Sequence, residues 1–157
     1  MEPGPPRLYT VGHSTRTLDE LVALLEEHGV TQLVDVRHFP RSRRNPQFNQ
    51  EALNADLPKR GIAYEWMGDT LGGFRSGGYE AYMETPQFGA GIERLKMLVR
   101  ARTTAIMCAE IVWFRCHRRF IARRMAAIGY PVTHIVASGK RRYDEPLPPD
   151  SKADRIQ

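Results

Sequence analysis

The chain has 157 residues, of which 41% are hydrophobic and 26% are charged, a composition that excludes a disordered protein. It contains no apolar run long enough to cross a bilayer, and its opening MEPGPP lacks the basic and apolar regions of a signal peptide. We therefore expect a single cytoplasmic domain over residues 1–157 with no membrane contact, in which an ordered core at about 7–137 precedes a charged tail at 138–157.

The charge balance favours an anionic partner. The net charge is +5, and arginine and lysine occur in clusters at residues 41–44, 115–119, 123–124 and 140–142. Such clusters suit a small phosphorylated molecule or nucleic acid, and a solvated basic surface is an equally good explanation for any one of them. The only cysteines, Cys108 and Cys116, are too few for a secreted scaffold and are expected to be free thiols.

Strands and helices alternate along the chain. Thr17 and Glu20 form a capping box for the first helix, and Gly29 supplies its left-handed end. The elements predicted in chain order are a strand at 8–11, a helix between 17 and 29, a strand at 32–36, a helix from 49 to about 59, a strand at 62–66, a helical stretch around 92–99, a strand at 103–107, a helix at 116–128 and a strand at 132–136. A glycine-rich segment at 68–79 is predicted as a long pliable loop, and the proline-rich tail from Ser138 as extended or mobile.

This order predicts an α/β protein, a three-layer sandwich with a mostly parallel sheet. The first strand–helix–strand unit favours a parallel pair joined by a right-handed crossover. In open sheets of this kind, ligands bind in the crevice outside the carboxyl ends of the strands. The polar residues that follow the predicted strands are therefore the candidates for a functional site.

Three predicted strands are followed by such residues. They are His13 and Ser14 after the first strand, Asp35, Arg37 and Arg43 in and after the second, and Cys108, Glu110, Cys116, His117 and Arg118 after the strand at 103–107. As an active site, Cys108 or Cys116 would be the nucleophile, and Glu110 or His117 would transfer protons. His13, Ser14, Arg37, Arg43 and Arg118 would bind the anion, with Asp35 in support. A helix start at Cys116 would add free amides and lower the pKa of the thiol.

Each candidate also has a structural explanation. His13 could bond a backbone carbonyl in its turn, Asp35 and Arg37 could form an ion pair without chemistry, and Cys108 could be a small buried hydrophobic residue. Zinc held by the cysteines, His117 and His13 is disfavoured, because the cysteine spacing matches no common zinc site. A phosphatase loop from Cys108 to Arg115 is disfavoured because AEIVWF lacks the glycines of a phosphate cradle. We expect neither a metal nor a cofactor.

The chain resembles a family of uncharacterised bacterial and archaeal proteins, the domain of unknown function family 488. The matching pieces are YTVGHST, VDVRHFPRSRRNPQFN, the LGG at 71–73, MCAEIVWFRCHRRFIA and VTHI, which span roughly residues 8–136. The resemblance implies an intracellular α/β domain and marks the strand-end residues above, apart from Ser14, as signature positions. It implies no substrate, reaction or cofactor.

Two hypotheses follow. In the first, the protein is an enzyme acting on a phosphorylated or nucleotide-like anion. In the second, it is a nucleic-acid-binding module whose arginines, with Trp113, Phe114 and Tyr79, grip phosphates and stack on bases. We favour the enzyme, because Cys and Glu residues expected to be buried have no use in a nucleic-acid binder.

Overall fold

The computed structural model describes residues 5–139 and 142–147. The strands in these ranges are β1 (Leu8–Gly12), β2 (Gln32–Asp35), β3 (Ala63–Trp66), β4 (Thr104–Cys108), β5 (Val132–Ile135) and β6 (Arg142–Asp144). The helices are α1 (Leu18–Glu27), α2 (Gln50–Asp56), α3 (Gly68–Leu71), α4 (Tyr79–Tyr82), α5 (Pro86–Ala101) and α6 (Arg118–Ala127). None of these helices combines the length and the apolar character needed to cross a membrane.

The strands form one sheet in the order β3-β2-β4-β1-β5-β6, and each neighbouring pair is parallel except β5 with β6. The mostly parallel sheet is confirmed. The expected pairing of β1 with β2 is wrong, because β4 lies between them: Cys108 is in register with Gly12, and Met107 with Asp35. Every residue of β4 is buried, and the centre of the sheet is where a strand loses contact with water on both faces.

Helices cover both faces of the sheet. Helices α1 and α2 pack on one face, where Leu33 of β2 points, and α5 and α6 pack on the other, where the adjacent Val34 points. This alternation is the two-residue period of a strand, and it gives each face its own apolar core. The predicted three-layer α/β sandwich is confirmed.

Helix α1 begins as the sequence indicates. The Thr17 hydroxyl accepts a hydrogen bond from the Glu20 amide at 3.0 Å, and the Glu20 carboxylate accepts one from the Thr17 amide at 2.7 Å. Leu21 and Leu25 are fully buried, and Gly29 adopts a φ of +70° just beyond the helix. The capping box and the glycine end are both confirmed.

The glycine-rich segment is more ordered than expected. Helix α3 occupies residues 68–71 of the predicted loop, and α4 begins at its last residue, Tyr79. A Cβ on Gly68 would overlap the Arg37 carbonyl oxygen, so this glycine permits close packing of two backbone segments rather than flexibility. The prediction of a pliable loop over all of 68–79 is therefore wrong.

Two other helix starts differ from expectation. Asn49 precedes α2, but its side chain accepts a hydrogen bond from the Ser42 amide at 2.7 Å instead of capping the helix, which ends at Asp56. Helix α6 begins at Arg118, so Cys116 and His117 precede it and do not form its first turn. Of the free amides at the helix start that were expected to lower the pKa of Cys116, only the Arg118 amide forms a hydrogen bond with the sulfur.

Part of the predicted tail is a strand. Residues 142–144 form β6 against β5, and Glu145 bonds His134 Nε2 at 2.8 Å. Over this segment the tail is extended, as expected, but its backbone and side chains are paired with the sheet edge, which the sequence did not predict. Lys140, Arg141 and residues 148–157 lie outside the described residues.

Candidate functional site

The two central strands create a crevice at their carboxyl ends. Helix α1 follows β1 on one face of the sheet, and α6 follows the neighbouring β4 on the other. Because the segments that follow β1 and β4 turn to opposite faces of the sheet, a gap opens between them, and ligands bind in such gaps in open α/β sheets. A cavity of about 370 Å³ opens at this point, and a second of about 340 Å³ adjoins it. They share Arg37, Phe39 and Ala109.

A buried ion pair forms the wall between the cavities. Arg37 Nε and Nη2 bond the two oxygens of Asp35 at 2.8 and 2.6 Å, and the Tyr64 hydroxyl donates to the same carboxylate at 2.6 Å. Arg37 Nη2 also donates to the Phe48 carbonyl. Asp35 is fully buried and Arg37 is 6% exposed. The ion pair considered from the sequence is present, and most of the guanidinium is committed to it.

His13 is held in one tautomer. Its Nδ1 lies 2.9 Å from the Ser14 carbonyl oxygen, to which it must donate, and its Nε2 lies 3.3 Å from Arg37 Nη1, from which it must accept. Burial lowers the pKa of His13 to about 4, and the Arg37 charge acts in the same direction. The backbone bond considered for His13 from the sequence is present, and the imidazole is neutral at physiological pH.

The two cysteines meet at the floor of the larger cavity. Their Sγ atoms are 2.6 Å apart; Cys108 is 2% exposed, and Cys116 is half-buried. The hydrogen bond between the sulfurs lowers the pKa of Cys116 to about 4 against the effect of burial, with help from His117 and the Arg118 amide. Burial raises the pKa of Cys108, and its bond to Cys116 acts in the same direction. The two shifts have opposite directions, so they favour the thiolate on Cys116 and the thiol on Cys108.

His117 is oriented toward that thiolate. Its Nε2 lies 2.7 Å from the Val36 carbonyl oxygen and must donate to it, which leaves Nδ1 facing Cys116 Sγ at 3.5 Å. In the neutral ring Nδ1 is the unprotonated nitrogen, so it can take the Cys116 proton and form a thiolate–imidazolium pair. Activated cysteines have this arrangement, in which a sulfur lies beside an imidazole that a third group orients. Here the three groups are Cys116, His117 and the Val36 carbonyl.

Arg118 lies beneath the cavity and not in it. It is fully buried, its Nη2 donates to the Ile111 carbonyl at 2.9 Å, and its Nε and Nη1 have no hydrogen-bond partner among the described residues. Arg118, predicted to bind the anion, is buried and lines neither of the two cavities. Its charge acts instead on Cys108, whose pKa it lowers in opposition to the larger effect of burial.

The remaining predicted residues are divided between the cavities and the surface. Glu110 lines the larger cavity, but it is exposed and not buried as the enzyme hypothesis assumed. Ser14 lines the smaller one with a φ of +48°. Arg43 is exposed and lines neither of these two cavities. Arg115, which belongs to the basic cluster at 115–119 but was not among the predicted site residues, lines the larger cavity and forms no ion pair with the described residues.

Sequence reasoning missed the aromatic rim of the larger cavity. Phe39 and Phe74 are 65% and 84% exposed, and their rings lie 5.6 Å apart at its mouth. Phe74 has a φ of +58°, in the left-handed region that a bulky residue rarely adopts. Ser14 is the other non-glycine residue with positive φ in the described ranges, and strained residues concentrate at functional sites. The phenylalanine within the HFP segment and the one that follows LGG were the available signal.

The described residues contain no group of three or more His, Cys, Asp or Glu side chains arranged to hold a metal ion. Cys108, Cys116 and His117 do lie together, whereas His13 is engaged with Ser14 and Arg37.

The fold and the site define an α/β protein with a cysteine–histidine pair at the switch point of its sheet. The chain belongs to the family described as domain of unknown function DUF488, whose model matches residues 17–125. The YTVGHST and VTHI segments fall outside that match. No curated protein and no solved structure matches the chain.

Proposed function

We propose that this protein is an enzyme in which the Cys116 thiolate attacks a phosphorylated or nucleotide-like anionic substrate. The observation that carries the proposal is the chain from the Val36 carbonyl through the His117 imidazole to the Cys116 sulfur. A half-buried sulfur with a lowered pKa at the floor of a cavity of about 370 Å³ is nucleophilic and within reach of a small molecule.

The charge around the cavity supports an anionic substrate. Arg115 lies at the larger cavity and Arg41 at the smaller one, and Arg37, which lines both, has a second N–H on Nη1 besides the one that it donates to His13. Arg41 forms an ion pair with the exposed carboxylate of Glu51 at 2.9 Å. Exposed ion pairs contribute little free energy, so Arg41 can leave Glu51 for an anionic substrate. The side chains of Phe39 and Phe74 add an apolar rim suited to a planar group.

Alkylation by iodoacetamide tests the nucleophile. A thiol with an ordinary pKa near 8.5 is about a thousandfold less ionised at pH 5.5 than above its pKa, whereas Cys116 is already a thiolate there. We expect alkylation of Cys116 at nearly the same rate at pH 5.5 and pH 8. His117→Gln should slow the reaction at pH 5.5. His28→Gln is the matched control, because His28 also bonds a backbone carbonyl but lies away from the site. A wild-type rate that falls in proportion to an ordinary thiol's ionisation would overturn the proposal.

Protection against alkylation tests the substrate class. Orthophosphate and adenosine monophosphate should slow the modification of Cys116, and neutral adenosine should have a smaller effect. Losing a charge-assisted hydrogen bond weakens binding by roughly 1.5–3 kcal/mol, so Arg115→Gln should require about ten- to hundredfold more phosphate. Arg43→Gln, an exposed arginine outside both cavities, should leave protection unchanged. Alkylation that is insensitive to both anions contradicts an anionic substrate at this cavity.

A nucleic-acid-binding module without catalysis is the competing proposal. Of the aromatic residues it invokes, Trp113 stacks on His134 at 4.3 Å and Tyr79 on Phe120 at 5.5 Å, while Phe114 is 49% exposed. The module requires binding of RNA or DNA that survives physiological salt, because surface arginines alone lose affinity steeply as salt rises. Deleting the chain from Ser138 would remove strand β6, so Lys140, Arg141 and Arg142 should instead be neutralised with glutamine. We expect binding to disappear in that variant, and binding that depends on Arg115 would favour the module.

A further inference from the structure

The proposed mechanism uses Cys116 and leaves Cys108 without a role. Cys108 Sγ lies 2.6 Å from the nucleophile, at the end of the central strand β4. We propose that the two cysteines act as a dithiol pair that reduces an electrophilic sulfur in a small anionic disulfide. This inference rests on the proposed role of Cys116 and names the atom that it attacks.

Exposure assigns different roles to the two sulfurs. Both cysteines line the cavity, but only Cys116 is half-buried, so it is the sulfur that a substrate can reach. Cys108 is 2% exposed and belongs to the apolar core beneath α5 and α6, with Cys116 packed against it. A molecule in the cavity therefore meets Cys116 first, and Cys108 is placed to attack what is bound there.

The reaction has two balanced exchanges. The Cys116 thiolate attacks one sulfur of a disulfide RS–SR, forming the mixed disulfide Cys116–S–SR and releasing RS⁻, which takes a proton from the medium. Cys108 loses its proton and attacks Cys116 Sγ, breaking the bond to SR and releasing a second thiol. The disulfide substrate gains two electrons and two protons, and the dithiol becomes a Cys108–Cys116 disulfide. A dithiol reductant restores the starting state.

The charges around Cys108 favour this order of events. Before reaction, burial, the bond to Cys116 and the neighbouring thiolate all keep Cys108 protonated. Formation of the mixed disulfide removes the negative charge of Cys116, and Cys116 then no longer accepts a hydrogen bond from the Cys108 thiol. The buried Arg118 cation, which lowers the pKa of Cys108, then remains. Two nitrogens of Arg118 have no hydrogen-bond partner among the described residues, and its charge stabilises a negative sulfur at Cys108 while Cys108 attacks.

A second thiol beside the nucleophile can release the product only when the substrate is attacked at a sulfur atom. Were the adduct on Cys116 an acyl or phosphoryl group, attack by Cys108 would move that group to a site 2% exposed, away from water, without releasing product. Attack on a mixed disulfide releases a thiol and leaves a stable bond between the cysteines. The cavity of about 370 Å³ and Arg115 select a low-molecular-weight disulfide that carries carboxylates or phosphates.

Glutathione disulfide, which carries carboxylates, is the test probe for the reduced full-length protein. Samples quenched with N-ethylmaleimide at successive times should show a transient glutathione adduct on Cys116, then an intramolecular disulfide and two released thiols per chain. Cys108→Ser should stop at a persistent Cys116 adduct with one released thiol, and Cys116→Ser should not react. Equimolar hydrogen peroxide, compared in parallel, should oxidise the pair more slowly.

Several outcomes overturn the inference. A wild-type adduct that persists, a disulfide between two chains, or faster reaction with peroxide would each do so. If glutathione disulfide leaves both thiols reduced while iodoacetamide still alkylates Cys116 at pH 5.5, the dithiol inference fails and the nucleophile stands. If neither reagent modifies Cys116, the proposed function fails as well. The wild-type time course decides these cases even where a cysteine variant does not fold.

Discussion

Replacing Asp35 by asparagine should destabilise the protein far more than breaking a surface ion pair. The carboxylate of Asp35 accepts hydrogen bonds from Arg37 Nε, Arg37 Nη2 and the Tyr64 hydroxyl, all at 2.8 Å or less, and it is fully buried. Asparagine removes the negative charge and leaves the guanidinium of Arg37, 6% exposed, without an anion. Breaking a buried pair in this way costs about 3–5 kcal/mol.

Urea unfolding measures the loss, and Asp19→Asn is the matched control. Asp19 also pairs with an arginine, Arg60, at 2.9 Å, but its side chain is 84% exposed, and such pairs contribute about 0.2–1 kcal/mol. Combining Asp35→Asn with Arg37→Met removes both buried charges. The double variant should therefore lose about 2–3 kcal/mol less than the sum of the two single variants. Equal losses for Asp35→Asn and Asp19→Asn, or additive single variants, would refute the reasoning.

Three further predictions concern the site. Glu110→Gln should leave the melting temperature nearly unchanged, because the side chain is exposed and forms no ion pair with the described residues; a large loss would instead indicate a structural partner. Burial lowers the pKa of His13 to about 4. Below pH 6.5 the unfolded chain therefore binds a proton at His13 that the folded chain does not bind, and the free energy of unfolding decreases as the pH is lowered. His13 should account for about 2 kcal/mol of the loss between pH 8 and pH 5, and urea titrations of His13→Gln should show a pH dependence smaller by that amount. Phe74→Gly should raise the unfolding free energy by up to about 1 kcal/mol, because it relieves a φ of +58°. The same variant should show weaker protection of Cys116 by anions against alkylation. A marked loss of stability would show that the ring is needed for folding.

Local signals in the sequence were sufficient for the fold class and for most of the elements, but not for α3 or β6. Thr17, Glu20 and Gly29 mark α1 because helix caps depend on neighbouring residues, which the sequence displays directly. The apolar run that became β4 was recognisable as a buried strand, and its alternation with helices predicts three layers. Asp35 and Arg37 are two residues apart at a strand end, so their pairing was also within reach of sequence reasoning.

Strand order, by contrast, depends on contacts between distant segments. The sequence alone favoured β1 beside β2, and the insertion of β4 between them results from burying its apolar side chains on both faces. That insertion is what opens the crevice between β1 and β4 and brings Cys108 to the ligand-binding edge.

The identity of the reactive group likewise depends on the folded chain. Cys108 and Cys116 look alike in sequence, and their difference arises because Cys108 is buried at the end of a central strand while Cys116, in the loop before α6, is only half-buried. His117 becomes a base for Cys116 only when Val36, which is 81 positions away, supplies the carbonyl that fixes its tautomer. Arg118 was predicted to bind the anion, but the structure places it on the buried face of α6. Burial and long-range hydrogen bonds set these charges, and neither is encoded in the spacing of the residues along the chain.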